Sequence, residues 1–353
     1  MDYDIVIVGA GPAGLSAAIR LAQGAQQQNH ELKICVLEKA AEIGNHILSG
    51  AILESRALDE LIPDWATREA PINTPVTSDR FYALTKHHKF RLPTPYSNKG
   101  NYVISLGLFC RWLGEHAAEL GVDLFPGFSA VELCYDNERV TGVVTGDFGR
   151  ERDGSEGPQF QAGVRIRAKQ VILAEGCHGS LTKTTISRHN LRANSTPQTY
   201  GLGVKEVWQS PTEIKSPGMV IHSIGWPLNH STYGGSFIYT LKPDKLIVGF
   251  VTGLDYKNPN LDPFMELQKF KTHPAISTYF DGLKRISYGA KSLIEGGLQS
   301  LPQLTIPGAL IIGDSAGLVN VPKIKGIHTA MKSGMLAADT ILNNLDNLNN
   351  ELT

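Results

Sequence analysis

The chain has only four cysteines, Cys35, Cys110, Cys134 and Cys177, and no two of them form a CxxC pair. That spacing excludes a zinc knuckle, a cysteine-ligated iron–sulfur cluster and a CxxC redox disulfide, and leaves buried thiols of a reducing compartment. Neither sign of charge is in excess: 33 Lys and Arg stand against 34 Asp and Glu, so no global field points to nucleic acid. No apolar run reaches the roughly eighteen residues of a membrane-spanning helix. Met1 leads almost at once into Ile5–Val8, which leaves no room for a signal or transit peptide. Internal repeats and metal-ligating clusters are also lacking, and no metal ligand is assigned.

Glycine is what the chain has in abundance, with 36 residues, which suits tight turns and close approach of backbone to a ligand. Asp4-Ile5-Val6-Ile7-Val8 is a short β-branched run that reads as a buried parallel strand. Gly9-Ala10-Gly11-Pro12-Ala13-Gly14 follows, then a helix from Leu15 to Gln23 and a second strand, Lys33–Leu37, ending in Glu38 and Lys39. In this G-x-G-x-x-G, Gly9 permits the turn, Gly11 lets backbone approach a pyrophosphate, and Gly14 lets the helix pack on the strand. Pro12 and Ala13 open the helix whose free N–H groups face the phosphate, and Glu38 can hold ribose hydroxyls.

The far end carries a second constellation. Leu310-Ile311-Ile312-Gly313-Asp314 is a strand followed by Gly-Asp, and Lys325-Gly326-Ile327 is a glycine turn opening the helix Ile327–Leu345. In this the chain resembles the two-dinucleotide-fold flavoproteins, in which such an Asp binds a ribityl hydroxyl and such a helix faces the flavin N1–C2=O edge. The resemblance implies FAD. It also implies cofactor contacts at Ser49 and Gly50, which follow Glu38 where the ribityl chain is wrapped, and at Val131, Ala174, Gly176 and Asn320. No second G-x-G-x-x-G marks a separate nicotinamide domain. No nucleophile, acid or base is assigned, because a flavin site works by position and potential.

The expected fold is α/β: a discontinuous, Rossmann-like FAD domain of the hydroxybenzoate-hydroxylase kind with a mostly antiparallel second domain. The FAD domain takes residues 1–75, 100–195 and 300–353, and the second takes 76–99 and 196–299. A helix is expected over Tyr102–Gly121, a hairpin tip over Gly149–Gly163 and a helix near Phe264–Thr272.

Several segments have no generic fold-level reason to exist. They include Leu61-Ile62-Pro63-Asp64-Trp65, Pro71-Ile72-Asn73-Thr74-Pro75, Gly225-Trp226-Pro227-Leu228, Tyr233-Gly234-Gly235-Ser236 and Val321-Pro322-Lys323-Ile324-Lys325-Gly326. Through them the chain resembles the electron transfer flavoprotein–ubiquinone oxidoreductase family from about Asp2 to Leu345. The resemblance implies quinone contacts at Tyr233, Gly234, Gly235 and Ser236. It further implies ubiquinone as acceptor, electron transfer flavoprotein or a separate iron–sulfur subunit as donor, and a peripheral membrane surface met by residues 80–98. The location implied is the bacterial cytoplasmic membrane, or the matrix side of the mitochondrial inner membrane.

Three departures stand against that pattern. The family carries a cysteine-ligated [4Fe–4S] cluster and a second membrane element beyond the region matched, and this sequence has no such cysteines. Ser105 stands where an Arg is expected near the FAD phosphates. Gly313-Asp314 replaces the family's usual Gly-Cys. Two other readings stay open at this point: a geranylgeranyl-reductase-type enzyme reducing an isoprenoid or lipid C=C bond, and an inactive flavin-binding remnant.

Overall fold

The structure is a computed structural model and describes residues 1–47 and 50–345. The expected cofactor residue Ser49 lies outside the described residues. The β-branched run Ile5-Val6-Ile7 is completely buried because the strand Asp2–Val8 has covered faces on both sides. It pairs in parallel with Ile34–Glu38 on one edge and with Arg165–Leu173 on the other. These strands are the centre of an eight-stranded sheet whose parallel part runs Ala309–Ile311, Arg165–Leu173, Asp2–Val8, Ile34–Glu38, Asp123–Pro126. Its strands therefore come from the start, the middle and the end of the chain. The hairpin Ala130–Asp136 with Arg139–Thr145 folds onto the outer half of Arg165–Leu173. The helices Pro12–Gln27, Leu106–Glu119 and Ile327–Leu342 bury their apolar sides on one face of this sheet.

A seven-stranded sheet forms the second layer system, running from Lys284–Ile294 at one edge to Lys89–Leu92 at the other. Every neighbouring pair is antiparallel except Ser78–Leu84 with Met219–Gly225, which is parallel. One face packs Val204, Ile221, Ile238 and Phe250 against Leu267 and Phe270 of the helix Pro263–Lys271. The other face carries Val207, Val220, Phe237, Tyr239 and Ile247 and packs on Ile52 and Val103. Those two belong to the short ribbon Ala51–Leu53 with Tyr102–Ile104, which joins the sheet to the first layer system.

Two expectations change in detail. The helix expected from Tyr102 begins at Leu106: Tyr102-Val103-Ile104 is β-prone and pairs with Ala51–Leu53 instead. Ser105, the position where an Arg is expected, caps that helix by accepting from the Leu108 amide at 3.4 Å. The closing helix ends at Leu342 rather than Leu345. Residues 149–163 form the hairpin Phe148–Arg150 with Glu156–Gln161, as expected of a polar glycine-rich tip.

Contact between the opening and closing helices brings the two ends of the chain together. A Cβ on Gly334 would stand 2.2 Å from the Ala13 carbonyl oxygen and 3.0 Å from the Ala17 amide, so only glycine allows the backbones to meet. Arg20 and Asp339 close the crossing with an ion pair of 2.7 Å. Alanine is the better helix former by about 1 kcal/mol, yet the clash is with backbone and cannot be relieved by a rotamer. Gly334→Ala is expected to lower the unfolding free energy by roughly 1–3 kcal/mol, seen as a lower denaturant midpoint. A raised midpoint would show that alanine's helix preference outweighs the close approach.

Candidate functional site

Gly9 has φ +108°, and a Cβ there would lie 2.4 Å from the Ala174 carbonyl oxygen. This turn therefore needs glycine twice over, for its dihedral and for its closeness to the next strand. A Cβ on Gly14 would lie 2.0 Å from the Gly9 oxygen, so this glycine seats the helix on the strand. Gly11 is different: nothing lies within 4 Å of its Cβ position. Space is left above it at the start of a helix whose N-cap is Gly11, with Pro12 in the first turn and no side-chain cap. Free N–H groups and the positive end of the helix dipole thus face open space, as an anion requires.

Glu38 ends the second strand with its carboxylate turned to the same place. One oxygen accepts from the Ala10 amide at 3.0 Å and the other from the Ala40 amide at 2.8 Å. Each oxygen keeps a second lone pair for a ligand hydroxyl. Lys39, next to it, is exposed.

The far end of the chain meets this turn directly. Gly313 has φ +60°, and its Cβ would stand 2.7 Å from the Cβ of Ala13. Its amide donates to Ser333 Oγ at 2.9 Å, while Ser315 Oγ accepts from the Gly176 amide at 2.9 Å. Gly176, with φ +80° and nothing within 4 Å of its Cβ position, is a second open glycine on the same rim. Asp314 is recessed beside them: burial raises its pKa, and the Lys291 charge opposes that rise. Its Oδ1 lies 3.6 Å from the Cβ position of Gly326, the N-cap of Ile327–Leu342, which also lacks a side-chain cap. Two uncapped helix N-termini opened by glycines therefore converge on one recess with a carboxylate between them. Asn320 holds the approach to the second helix by exchanging backbone hydrogen bonds with Lys325 at 2.9 and 3.2 Å.

Of the expected cofactor residues, Gly9, Gly11, Pro12, Ala13, Gly14, Glu38, Ala174, Gly176, Gly313, Asp314, Gly326 and Ile327 thus come from three distant segments to one place. Gly50 sits at the junction of the two sheets, where its carbonyl accepts from Lys205 Nζ at 2.9 Å. The Val131 side chain is exposed and lies against Gly146.

The segment Tyr233–Ser236 leads into the strand Gly234–Leu241 of the antiparallel sheet. A Cβ on Gly234 would fall 2.2 Å from the Val251 oxygen, and one on Gly235 2.6 Å from the Ser223 oxygen, so the sheet itself demands both glycines. The Tyr233 carbonyl is taken by the Gly253 amide at 2.9 Å, its side chain is half-exposed, and Ser236 Oγ bonds Ser223 Oγ. Sequence reasoning passed over Lys205, which reaches Gly50 at the junction of the two sheets. Burial pulls Lys205 down to about 8, with the Lys291 charge adding to the effect. Its trace in the sequence was a charge inside the apolar alternation Leu202-Gly203-Val204-Lys205-Glu206-Val207.

Residues 3–198 match the family model described as pyridine nucleotide-disulphide oxidoreductase, and residues 200–293 match the model described as ETF-QO, ubiquinone-binding. Electron transfer flavoprotein-ubiquinone oxidoreductase, mitochondrial, of Oryza sativa subsp. japonica is 53% identical over 98% of this chain and 60% of its own length. That of Bos taurus is 52% identical over 99% of this chain and 58% of its own length. The chain belongs to the electron transfer flavoprotein–ubiquinone oxidoreductase family. It spans about three-fifths of the length of those curated relatives. Among solved structures, a geranylgeranyl bacteriochlorophyll reductase-like protein of Thermoplasma acidophilum aligns with TM-score 0.74 at 21% identity, over 99% of this chain and 80% of its own. A flavin-dependent brominase aligns with TM-score 0.68 at 18% identity, over 98% of this chain and 80% of its own. At such identities the likeness establishes the flavoprotein fold and leaves the substrate undecided.

All four cysteines are free, and Cys35, Cys110 and Cys177 are buried, which pushes Cys35 up to about 12 and Cys177 up to about 11. Among the described residues no group of His, Cys, Asp and Glu can hold a metal, and no helix is long and apolar enough to cross a membrane. The glycines divide into two classes that stability measurements separate. Gly14→Ala is expected to destabilise the cofactor-free protein by roughly 1–3 kcal/mol, whereas Gly11→Ala should stay within about 0.5 kcal/mol of the parent. Equal losses at the two positions would refute the division.

Proposed function

We propose that the chain binds FAD in the recess between its two glycine-opened helices and passes electrons from it to ubiquinone at the antiparallel sheet. The observation that carries this reading is the convergence of two uncapped helix N-termini around Asp314, beside the segment matched by the ubiquinone-binding model. The residues fit the cofactor. Gly11, Pro12, Ala13 and Gly14 would hold the pyrophosphate, and Glu38, with Lys39 beside it, the ribose. Val131, Ala174 and Gly176 would line the adenosine side, with Gly9 and Gly313 closing the turns. Ser49, Gly50 and Asp314 would hold the ribityl chain, and Asn320, Gly326 and Ile327 would face the N1–C2=O edge. When bound, FAD supplies a two-electron store. The helix that starts at Gly326 favours negative charge at its N-terminus and so raises the potential of a ring placed there.

Tyr233, Gly234, Gly235 and Ser236 would contact the quinone ring. The sheet holds these glycines to their neighbours' backbones, so a flat ring would meet main chain and not side chains. The proposal includes the division into an FAD unit (1–75, 100–195, 300–353) and a quinone unit (76–99, 196–299). It also includes a peripheral membrane contact through the hairpin of Ser78–Leu84 with Lys89–Leu92, whose Lys86, His87, His88, Lys89 and Phe90 are exposed. The relatives' names point to electron transfer flavoprotein as donor, and a separate iron–sulfur subunit is the alternative donor in this proposal. The four separate, largely buried cysteines do not fit a [4Fe–4S] cluster, and no step is assigned to one here.

The test is reconstitution. Protein incubated with FAD should be yellow, and once reduced it should be reoxidised by a water-soluble ubiquinone analogue. Gly11→Glu should keep the fold, by circular dichroism, while weakening FAD binding roughly a hundredfold, because a carboxylate would meet the pyrophosphate. Undiminished flavin content in that variant would contradict the assignment.

A further inference from the structure

Reduction of a quinone to a quinol consumes two electrons and two protons. A reduced flavin carries two electrons and one proton in its anionic form, so the protein must supply the second proton. The assignments above give no residue that role. The flavin-facing side of the antiparallel sheet, however, holds a cluster of titratable side chains that those assignments leave unused.

Lys325 is 5% exposed and has no carboxylate within ion-pairing distance among the described residues. Its ammonium donates to the Lys323 carbonyl at 3.1 Å and stands 4.7 Å above the ring of Tyr96. The Tyr96 hydroxyl is buried without a hydrogen-bond partner, and so is Oδ1 of Asp79, whose other oxygen accepts from the Asn98 backbone and side chain at 2.9 and 3.0 Å. A native fold rarely leaves two buried polar atoms idle in one place unless a ligand or water completes them. Asp79 and Tyr233 both lie close enough to Tyr96 for their charges to bear on it. Asp79 is also on the wall of a cavity of about 310 Å³ lined by Phe81, Arg91, Leu92, Pro93 and Thr94, at the sheet edge where the exposed hairpin meets solvent. His222 meets Tyr96 edge-on at 5.8 Å and shares a hydrogen bond of 2.8 Å with the Tyr239 hydroxyl.

We propose that Tyr96, Lys325 and Asp79 are the proton supply of the quinone site, a relay from the cavity at the hairpin edge to the face of Tyr233–Ser236. This rests on the functional reading given above. In the step itself the Tyr96 hydroxyl gives its proton to the quinone oxygen and takes one from the Lys325 ammonium through a water that completes its unpartnered oxygen. The quinone becomes quinol with two electrons and one proton from the flavin and one proton from the relay. Lysine, left as a neutral amine, recovers its proton from cavity water by way of Asp79 and a water bridging its unpartnered oxygen to the amine. Burial, the first cause, pulls Lys325 down to about 8, with Glu54 and Asp79 opposing that fall and Lys323 adding to it. An amine of that strength is charged at neutral pH and still yields its proton. His222 is not a donor: burial and the Lys325 charge bring it down to about 3, so it stays neutral and acts as a positioning residue for Tyr96 and Tyr239.

Reduced holoprotein is mixed anaerobically with a soluble ubiquinone analogue, or with ferricenium, which takes an electron and no proton. Tyr96→Phe removes one unpartnered hydroxyl and keeps the fold; Lys325→Met removes the ammonium and keeps the stem. In both, the ratio of the quinone rate to the ferricenium rate should fall roughly a hundredfold. In the parent that ratio should decline as pH rises through about 8, where the ammonium is lost, and Lys325→Met should lack that decline. Without turnover, the NMR resonance of the ¹³C-methylated Lys325 amine, assigned by its absence from Lys325→Met, should titrate near pH 8. An unchanged rate ratio in the variants, or a Lys325 amine titrating at the ordinary value of about 10.4, overturns the relay. A parent flavin that ferricenium oxidises and quinone does not removes the functional reading, and the relay with it.

Discussion

Everything in this fold depends on two helices touching through bare backbone. The first and last helices of the described chain approach so closely at Ala13, Ala17 and Gly334 that no side chain fits between them. Because the first begins at Gly11 and the last at Gly326, that crossing fixes where both N-termini point. The recess is therefore less a pocket carved into a domain than a consequence of helix packing. The parallel sheet supplies the rigid base, since strands from three parts of the chain deliver Gly9, Glu38, Ala174 and Gly313 to the same edge.

Much of this was legible in the sequence because it was written in local grammar. A β-branched run before G-x-G-x-x-G can be read without knowing what the strand pairs with, and so can a Gly-Asp after an apolar strand. That the two lie together followed from chemistry shared by both ends. The ribbon strand Tyr102–Ile104 was misread because the helical pattern after it is strong and no glycine or proline separates them. Its strand state depends on pairing with Ala51–Leu53, a partner that periodicity cannot see.

The electrostatic interior was illegible for a different reason. Lys325 stands in a basic stretch, Lys323-Ile324-Lys325, which reads only as the approach to the glycine turn that opens the last helix. Its burial comes from the ring of Tyr96, more than two hundred residues away in sequence, within a segment read as membrane-facing surface. Tyr96 in turn points inward because its segment returns along the sheet edge toward the buried Asn98. Charges such as Lys205 and Lys325 owe their weakened basicity to neighbours brought by topology, and no window of sequence contains those neighbours. The glycines of Tyr233–Ser236 carry the opposite lesson. Their motif looks like ligand chemistry, yet the neighbouring strands alone already require them.

The Arg20–Asp339 pair joins residues 319 positions apart and has a kinetic consequence. Contacts of such long sequence separation form late, after the intervening chain has collapsed. During synthesis the opening glycine turn leaves the ribosome long before the helix that completes its recess, and the apolar flank of Pro12–Gln27 stays uncovered meanwhile. Until Ile327–Leu342 emerges, the nucleotide recess stays incomplete.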